Sequence, residues 1–242
     1  MTESGPAGDI VRAEGLSAAY SGRDGTPALL DISFRAAAGE KIALMGANGA
    51  GKSTLLFVLS GVIPPLGGSL VVNGIPVLKE NLRELRKTAG LVFQNPDDQI
   101  FMPTVEDDVS FGPRNYGAGV EETGERVRKT LETLGIGDLS KRLAHHLSGG
   151  EKRLVALAGI LVMEPALLLL DEPLAFLDTA ARRRLLAVLA GLSQTMIIAT
   201  HDTDLARTLC GRCILLQKGR VRADGPVDEV LADGARLEKW GL

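Results

Sequence analysis

Short apolar runs alternate with helical stretches along this chain, the pattern of a largely parallel β-sheet with crossover helices. Early strands are expected at Val11–Leu16, Ile32–Ala36 and Lys41–Met45. A helix is expected to start in the glycine-rich turn at Gly51–Lys52 and run to about Ser60, with Gly61 as its stop. Leu70–Val72 runs into Asn73-Gly74, the strongest short-range hairpin signal, so antiparallel strands are mixed into the first part. From Thr104 to Leu147 the pattern is mostly helical, with one amphipathic run from Glu121 to Leu134. A helical subdomain at about 95–165 is therefore expected as an insertion between two core strands. The alternation returns with a helix over Gly150–Leu161, a strand at Leu167–Leu170, a helix over Thr179–Ala190 and a strand at Met196–Thr200. A strand pair, Cys213–Gln217 and Arg220–Ala223, turns at Lys218-Gly219, and a short helix follows near Val227–Ala232. No repeat, low-complexity tract or long linker divides the chain, so the expectation is one α/β domain over 1–242.

Composition narrows the function classes. A hydrophobic content of 45% is enough for a sizeable core. Basic and acidic residues nearly balance, 27 against 30, which gives no basic footprint for nucleic acid. Aromatics at 4% also argue against base-stacking platforms. No run approaches the roughly 18 apolar residues of a bilayer-spanning helix. The strongest apolar stretch, Ala166–Leu170, is cut short by Asp171 and Glu172. The first ten residues have neither a basic nor an apolar region of the secretory kind. Two cysteines in this length fit a reducing compartment. The expectation is a soluble, cytoplasmic protein.

The chemistry begins at Gly46-Ala47-Asn48-Gly49-Ala50-Gly51-Lys52-Ser53, which matches G-x-x-x-x-G-K-[ST], with Thr54 just beyond. An apolar run precedes it and a helix follows, as a phosphate-binding turn requires. Glycines let successive backbone N–H groups turn inward around phosphates, and the helix start adds partial positive charge. Lys52 is expected on the β- and γ-phosphates and the Ser53 hydroxyl on Mg²⁺. The strand ending in Asp171-Glu172 would bring Asp171 to that Mg²⁺ and Glu172 to the attacking water as general base. Leu147-Ser148-Gly149-Gly150-Glu151 precedes a helix; Ser148 is a natural N-cap there, and the helix start is a second anion site.

With these three motifs in order, the chain resembles the ATP-binding subunits of ABC transporters over nearly its whole length. The resemblance implies the P-loop ABC-ATPase fold: a RecA-like parallel core, an antiparallel β subdomain and an inserted helical subdomain. It implies ATP and Mg²⁺ as cofactors and a homodimer as the working form. Ser148, Gly149 and Gly150 correspond to the signature that binds the γ-phosphate held by the opposite subunit; Glu151 stands where many members have Gln. Gln94 corresponds to the glutamine that senses Mg²⁺ and water, Asp178 to the loop that communicates across the dimer, and His201 to the switch histidine at the γ-phosphate. Tyr20 corresponds to the aromatic that stacks on adenine.

Phe93-Gln94-Asn95-Pro96-Asp97-Asp98-Gln99-Ile100-Phe101 and the following Thr104–Val109 and Phe111-Gly112-Pro113 resemble the ATPases of energy-coupling-factor importers, the cobalt-transport subunits above all. Integral membrane coupling and substrate-binding subunits are then expected to dock near Gln94–Met102, with the chain peripheral on the cytoplasmic face of the membrane. Ile100, Phe101 and Met102 in a polar loop agree with docking. With 16 residues after Pro226, no regulatory domain is expected there. The cargo ranking is cobalt, then nickel, then biotin; a soluble, non-transport ABC ATPase is the reading from another class, and a dimeric signalling switch a third. Cys210 and Cys213 have C-x-x-C spacing but no second pair and are expected to be structural. His145-His146 is expected to belong to the linker before the signature, and Arg182-Arg183-Arg184 to a solvated helix face.

Overall fold

The computed structural model describes residues 8–20, 27–234 and 237; the rest of the expected 1–242 domain lies outside the described residues. In chain order the elements are β1 (Asp9–Ala18), β2 (Leu29–Ala37), β3 (Lys41–Met45), α1 (Lys52–Leu59), β4 (Gly67–Val72) and β5 (Ile75–Pro76). Next come α2 (Leu82–Thr88), β6 (Ala89–Val92), α3 (Val105–Asn115), α4 (Val120–Thr133), α5 (Gly149–Leu161) and β7 (Leu167–Asp171). The last are α6 (Thr179–Gly191), β8 (Thr195–Ala199), α7 (Thr203–Leu209), β9 (Arg212–Gln217), β10 (Arg220–Pro226) and α8 (Val227–Val230). They form two compact units: Met1–Leu91 with Ala166–Glu172 and Ser193–Leu242, and Val92–Pro165 with Pro173–Leu192.

The first unit carries a mixed sheet in the order β10-β9-β3-β8-β7-β6. Strand β3 runs parallel to β8 and β9, and β7 parallel to β8, while β10 returns antiparallel to β9. Every residue of β7 and β8 is buried. Such unbroken apolar runs belong to strands covered on both faces, and each buried leucine stabilises the fold by roughly 1.5–3 kcal/mol relative to exposure. Helix α1 packs against β7 and β8. A second, antiparallel sheet has the order β2-β1-β4-β5. The β4–β5 turn has φ 48° at Asn73 and 78° at Gly74, the left-handed pair that a two-residue hairpin loop needs. The α/β class and the mixture of parallel and antiparallel strands agree with the sequence.

The second unit is helical. α3 packs on α4 and α5, and α5 also packs on α6. α4 buries Thr123, Val127 and Leu131, four residues apart, and turns the pairs Glu122–Arg126 and Arg128–Glu132 to solvent. Gly135, at φ 64°, stops it. Helix α6, read from sequence as part of the returning α/β core, clusters here instead and buries Leu185 and Leu189. Arg183 and Arg184 are exposed, as expected of a solvated face, and the Arg184 guanidinium also donates to the carbonyls of Leu134 and Gly135 at the C-terminal end of α4.

Three described elements had no sequence signal strong enough to read: α2, β6 and α7. Each spans only four to seven residues, shorter than the window over which periodicity separates helix from strand.

Candidate functional site

Strand β3 delivers the chain into the phosphate turn with every residue from Ile42 to Met45 buried. Gly46 then takes φ 144°, and a Cβ there would lie 2.2 Å from the Leu216 carbonyl oxygen. Gly51 takes φ 108°, with Leu29 2.9 Å from where its Cβ would be. Gly49, at φ 78°, faces open space. The turn is thus pressed against β9 at one glycine and β2 at another and open at the third, a backbone cradle that side chains would fill. Lys52, buried at the start of α1, folds back to donate to the Gly46 carbonyl at 2.6 Å and the Ala47 carbonyl at 3.3 Å. Burial pulls its ammonium below the ordinary lysine range, against the opposing pull of Glu172 and Asp171. The β9–β10 turn braces the cradle from behind: the Gly219 N–H donates to Ala50 at 2.9 Å and its carbonyl accepts from Leu30 at 2.8 Å.

The two carboxylates sit at the end of β7. Asp171 is buried and its carboxyl is raised above the usual range, chiefly by burial and further by Glu172; a hydrogen bond from Ser53 and the charge of Lys52 oppose this. Oxygen donors from Ser53 and Asp171, side by side in the cradle, are the hard set that suits Mg²⁺. Glu172 adopts φ 44°, a left-handed conformation uncommon for a side-chain-bearing residue and doubly so before Pro173. Its N–H is tied to the Ala199 carbonyl at 2.9 Å. Thr200 donates to Glu172 Oε2 at 3.2 Å, and His201 Nδ1 lies 2.7 Å from Oε1. With the carboxylate accepting, Nδ1 carries the hydrogen and Nε2 stays available for a second partner. Strain held this way is a feature of reaction centres.

Tyr20 lies beside the same helix, its hydroxyl 3.1 Å from Thr54 Oγ1, with the residue 37% exposed. The first unit therefore gathers Tyr20, residues 46–54, Asp171, Glu172 and His201. Thr200 escaped the sequence reading because a threonine ending an apolar strand looks like ordinary strand composition; only its place across from Glu172 marks it.

Gln94, Ser148–Gly150 and Asp178 belong to the second unit. Ser148 caps α5 in a full capping box: its Oγ accepts from Glu151 N–H, and Glu151 accepts from Ser148 N–H. Asp178 caps α6, its carboxylate accepting from Ala180 and Ala181 N–H at 2.8 Å each. Gly150 faces Ala181 so closely that a Cβ would sit 2.9 Å from it. Gln94 is exposed, and its carbonyl is gripped by Arg153, a residue the sequence reading missed. Arg153 is 3% exposed and also donates to the carbonyls of Phe93 and Ala175, both at 3.1 Å. One cation thus ties the loop of Gln94 and the segment before Asp178 to the helix of the signature. The available signal was its position at the head of the run Arg153–Ala158, apolar on every side after the arginine, which reads as a buried helix.

Phe101 (64% exposed) and Phe111 (44%) stack edge to face at 4.8 Å beside a groove lined by Ile100, Met102, Pro103 and Ala144. His145 and His146 occupy a 3-10 turn in the linker before Ser148, their rings 4.2 Å apart, and no cluster of three metal-ligating side chains occurs among the described residues. Cys210 and Cys213 are free and buried, each thiol pushed up to about 12, mainly by burial, which leaves them inert. Among the described residues no helix is long and apolar enough to cross a membrane.

A family model described as ABC transporter matches residues 29–175. The energy-coupling factor transporter ATP-binding protein EcfA1 of Methanospirillum hungatei is 44% identical over 92% of this chain and 81% of its own length. The solved structure of cbiO1 from Clostridium perfringens, part of the ABC transporter complex cbiONQ, superposes with a TM-score of 0.84 at 38% identity, covering 96% of this chain and 94% of that one. A dimeric post-hydrolysis state of the ATP-binding cassette MJ0796, bound to ADP and Pi, gives 0.81 at 25% identity, covering 90% and 99%.

Proposed function

Because the chain belongs to the ABC transporter family as an ATP-binding subunit, we propose that it hydrolyses MgATP as a homodimer to drive an energy-coupling-factor importer, with cobalt as the cargo. The observation that carries this reading is the cluster of Lys52, Ser53, Asp171, Glu172 and His201 at the ends of β3, β7 and β8. Catalysis of phosphoryl transfer is mainly positioning and charge neutralisation, which this cluster is built to provide. The cradle N–H groups and Lys52 would bind the phosphates, and Tyr20 would stack on the adenine. Glu172 would take the proton of the attacking water, and His201, oriented through Nδ1, would present Nε2 to the γ-phosphate. Ser53 and Asp171 would hold Mg²⁺, which when bound supplies charge neutralisation at the phosphates. Gln94 we assign as the residue that senses metal and water.

In the dimer, Ser148–Gly150 of one copy would meet the γ-phosphate bound by the other, and Asp178 would carry the signal between them. The dimeric cassette among the structural relatives supports that assembly. The exposed Phe101–Phe111 pair and the groove beside it would receive the membrane coupling subunit, which keeps the chain peripheral at the inner face of the membrane. Cobalt rests on the resemblance of the Phe93–Pro113 stretch and on the likeness to cbiO1. The test is radiolabelled cobalt uptake in cells carrying wild type or Glu172→Gln. Collapse of uptake in the variant is expected; unchanged cobalt uptake would end the cobalt assignment, and nickel and biotin would be assayed next.

A further inference from the structure

The first turn of α5 presents a carboxylate where the proposed function requires an anion to bind. Glu151 Oε2 accepts from Ser148 N–H at 2.7 Å, and Ser148 Oγ accepts from Glu151 N–H at 3.3 Å. That box fixes the rotamer of Ser148 and keeps its hydroxyl beside the Glu151 carboxylate at the head of the helix. It also sets a negative charge within one turn of an arriving phosphate, and like charges at that spacing repel. Glu151 has its other oxygen on Arg142, Oε1 accepting from Nη1 at 3.0 Å.

Arg142 is itself held in place. Val105 N–H donates to the Arg142 carbonyl at 3.1 Å, Glu106 N–H to the Ser140 carbonyl at 2.9 Å, and Ala144 N–H to the Pro103 carbonyl at 2.9 Å. These bonds strap residues 140–144 to the start of α3. Lys141, on the same strap, is spent on Glu106 at 2.7 Å, so Arg142 is the strap's cation directed at the helix start. The Glu151 carboxyl is held below the ordinary range first by the backbone bond from Ser148, then by the Ser148 side chain, with the charges of Arg142 and Arg184 adding less.

We propose that Arg142 is a charge-compensating positioning residue of the signature: by pairing with Glu151 it allows one carboxylate to lock Ser148 without repelling the γ-phosphate of the partner's nucleotide. The inference rests on Ser148–Gly150 being the nucleotide-binding signature. It accounts for a glutamate at a position where neutral glutamine would cap Ser148 with no charge to offset.

The experiment is steady-state ATPase kinetics on full-length wild type, Arg142→Gln, Glu151→Gln and the double variant, at low and high salt, with melting temperatures recorded. Arg142→Gln is expected to raise KM for MgATP roughly two- to fivefold, the range for one exposed charge beside a helix-bound anion. In the double variant KM should return to within about twofold of Glu151→Gln alone, and salt should narrow the gap between Arg142→Gln and wild type. A purely structural bridge would instead lower the melting temperature and the rate in both Arg142 variants, with no rescue. An unchanged KM in Arg142→Gln, or a rise that persists in the double variant, overturns the proposal alone. Wild-type turnover surviving Ser148→Arg would overturn the signature assignment and this inference together.

Discussion

Asp171 and Glu172 are neighbours in sequence but are held by different forces. Glu172 is fixed by geometry, a left-handed backbone with two hydrogen-bond partners from the end of β8. Asp171 is fixed by the strand itself, which buries it and raises its carboxyl above the usual range. Folding therefore favours its protonated form. Its stabilising contribution is full below the unfolded pKa of about 3.9 and is lost as pH rises through the native value, so at neutral pH the ionised group is a net cost. Asp171→Asn should raise the melting temperature of the nucleotide-free protein at pH 7–8, and the gap to wild type should close as the pH is lowered. The same variant should lose Mg²⁺-dependent stabilisation by ATP. Thermal denaturation across pH, with and without MgATP, checks both; a lower melting temperature at neutral pH would mean that Ser53 and Lys52 outweigh burial. These residues were legible because the phosphate turn and the Asp171-Glu172 pair are contiguous strings whose chemistry depends on local spacing. Thr200 was not, since its meaning comes from a strand 28 positions away.

At the scale of elements, legibility followed length and burial. β3 was read to its exact ends because a buried run between Glu40 and Gly46 has sharp chemical borders. β6, with four residues, and α7, with seven, give periodicity too little to act on. α6 packs where Gly150 admits Ala181, a contact between residues 31 positions apart (181 − 150). Arg153 illustrates the same limit: its value lies in joining two segments, one of them about 60 positions upstream. Arg153→Ala would leave those half-buried carbonyls without their donor, at a cost of about 1–3 kcal/mol. Arg153→Lys should recover only part of this, because an ammonium cannot reproduce the planar fork of the guanidinium. Urea denaturation of the three proteins tests the order; equal stability of the alanine variant and wild type would show that the clamp carries no weight.

Across the whole molecule, the glycine-rich turn lies on one compact unit and the Ser148–Gly150 helix start on the other, the two regions proposed to meet a phosphate. An enzyme that needs both at one γ-phosphate can obtain the second from another copy, and the nucleotide then becomes part of the interface. Phe176 is consistent with such a surface: it is 94% exposed, at φ 62°, two residues before the Asp178 cap. A bulky side chain in the left-handed region is strained, and strain with full exposure is hard to account for in an isolated chain. Glu172→Gln gives the decisive prediction at this scale. The amide can still accept from Thr200, so the cradle should keep its shape and bind MgATP, while loss of the base should slow hydrolysis at least ~10²-fold. The variant should run at the mass of one chain without nucleotide and of two with MgATP, and should stay dimeric far longer than wild type. Light scattering after gel filtration reads the mass, and phosphate release reads the rate. Rapid turnover by the variant would remove Glu172 as the base. A dimer that ignores ATP would place the contact between copies elsewhere than at the nucleotide.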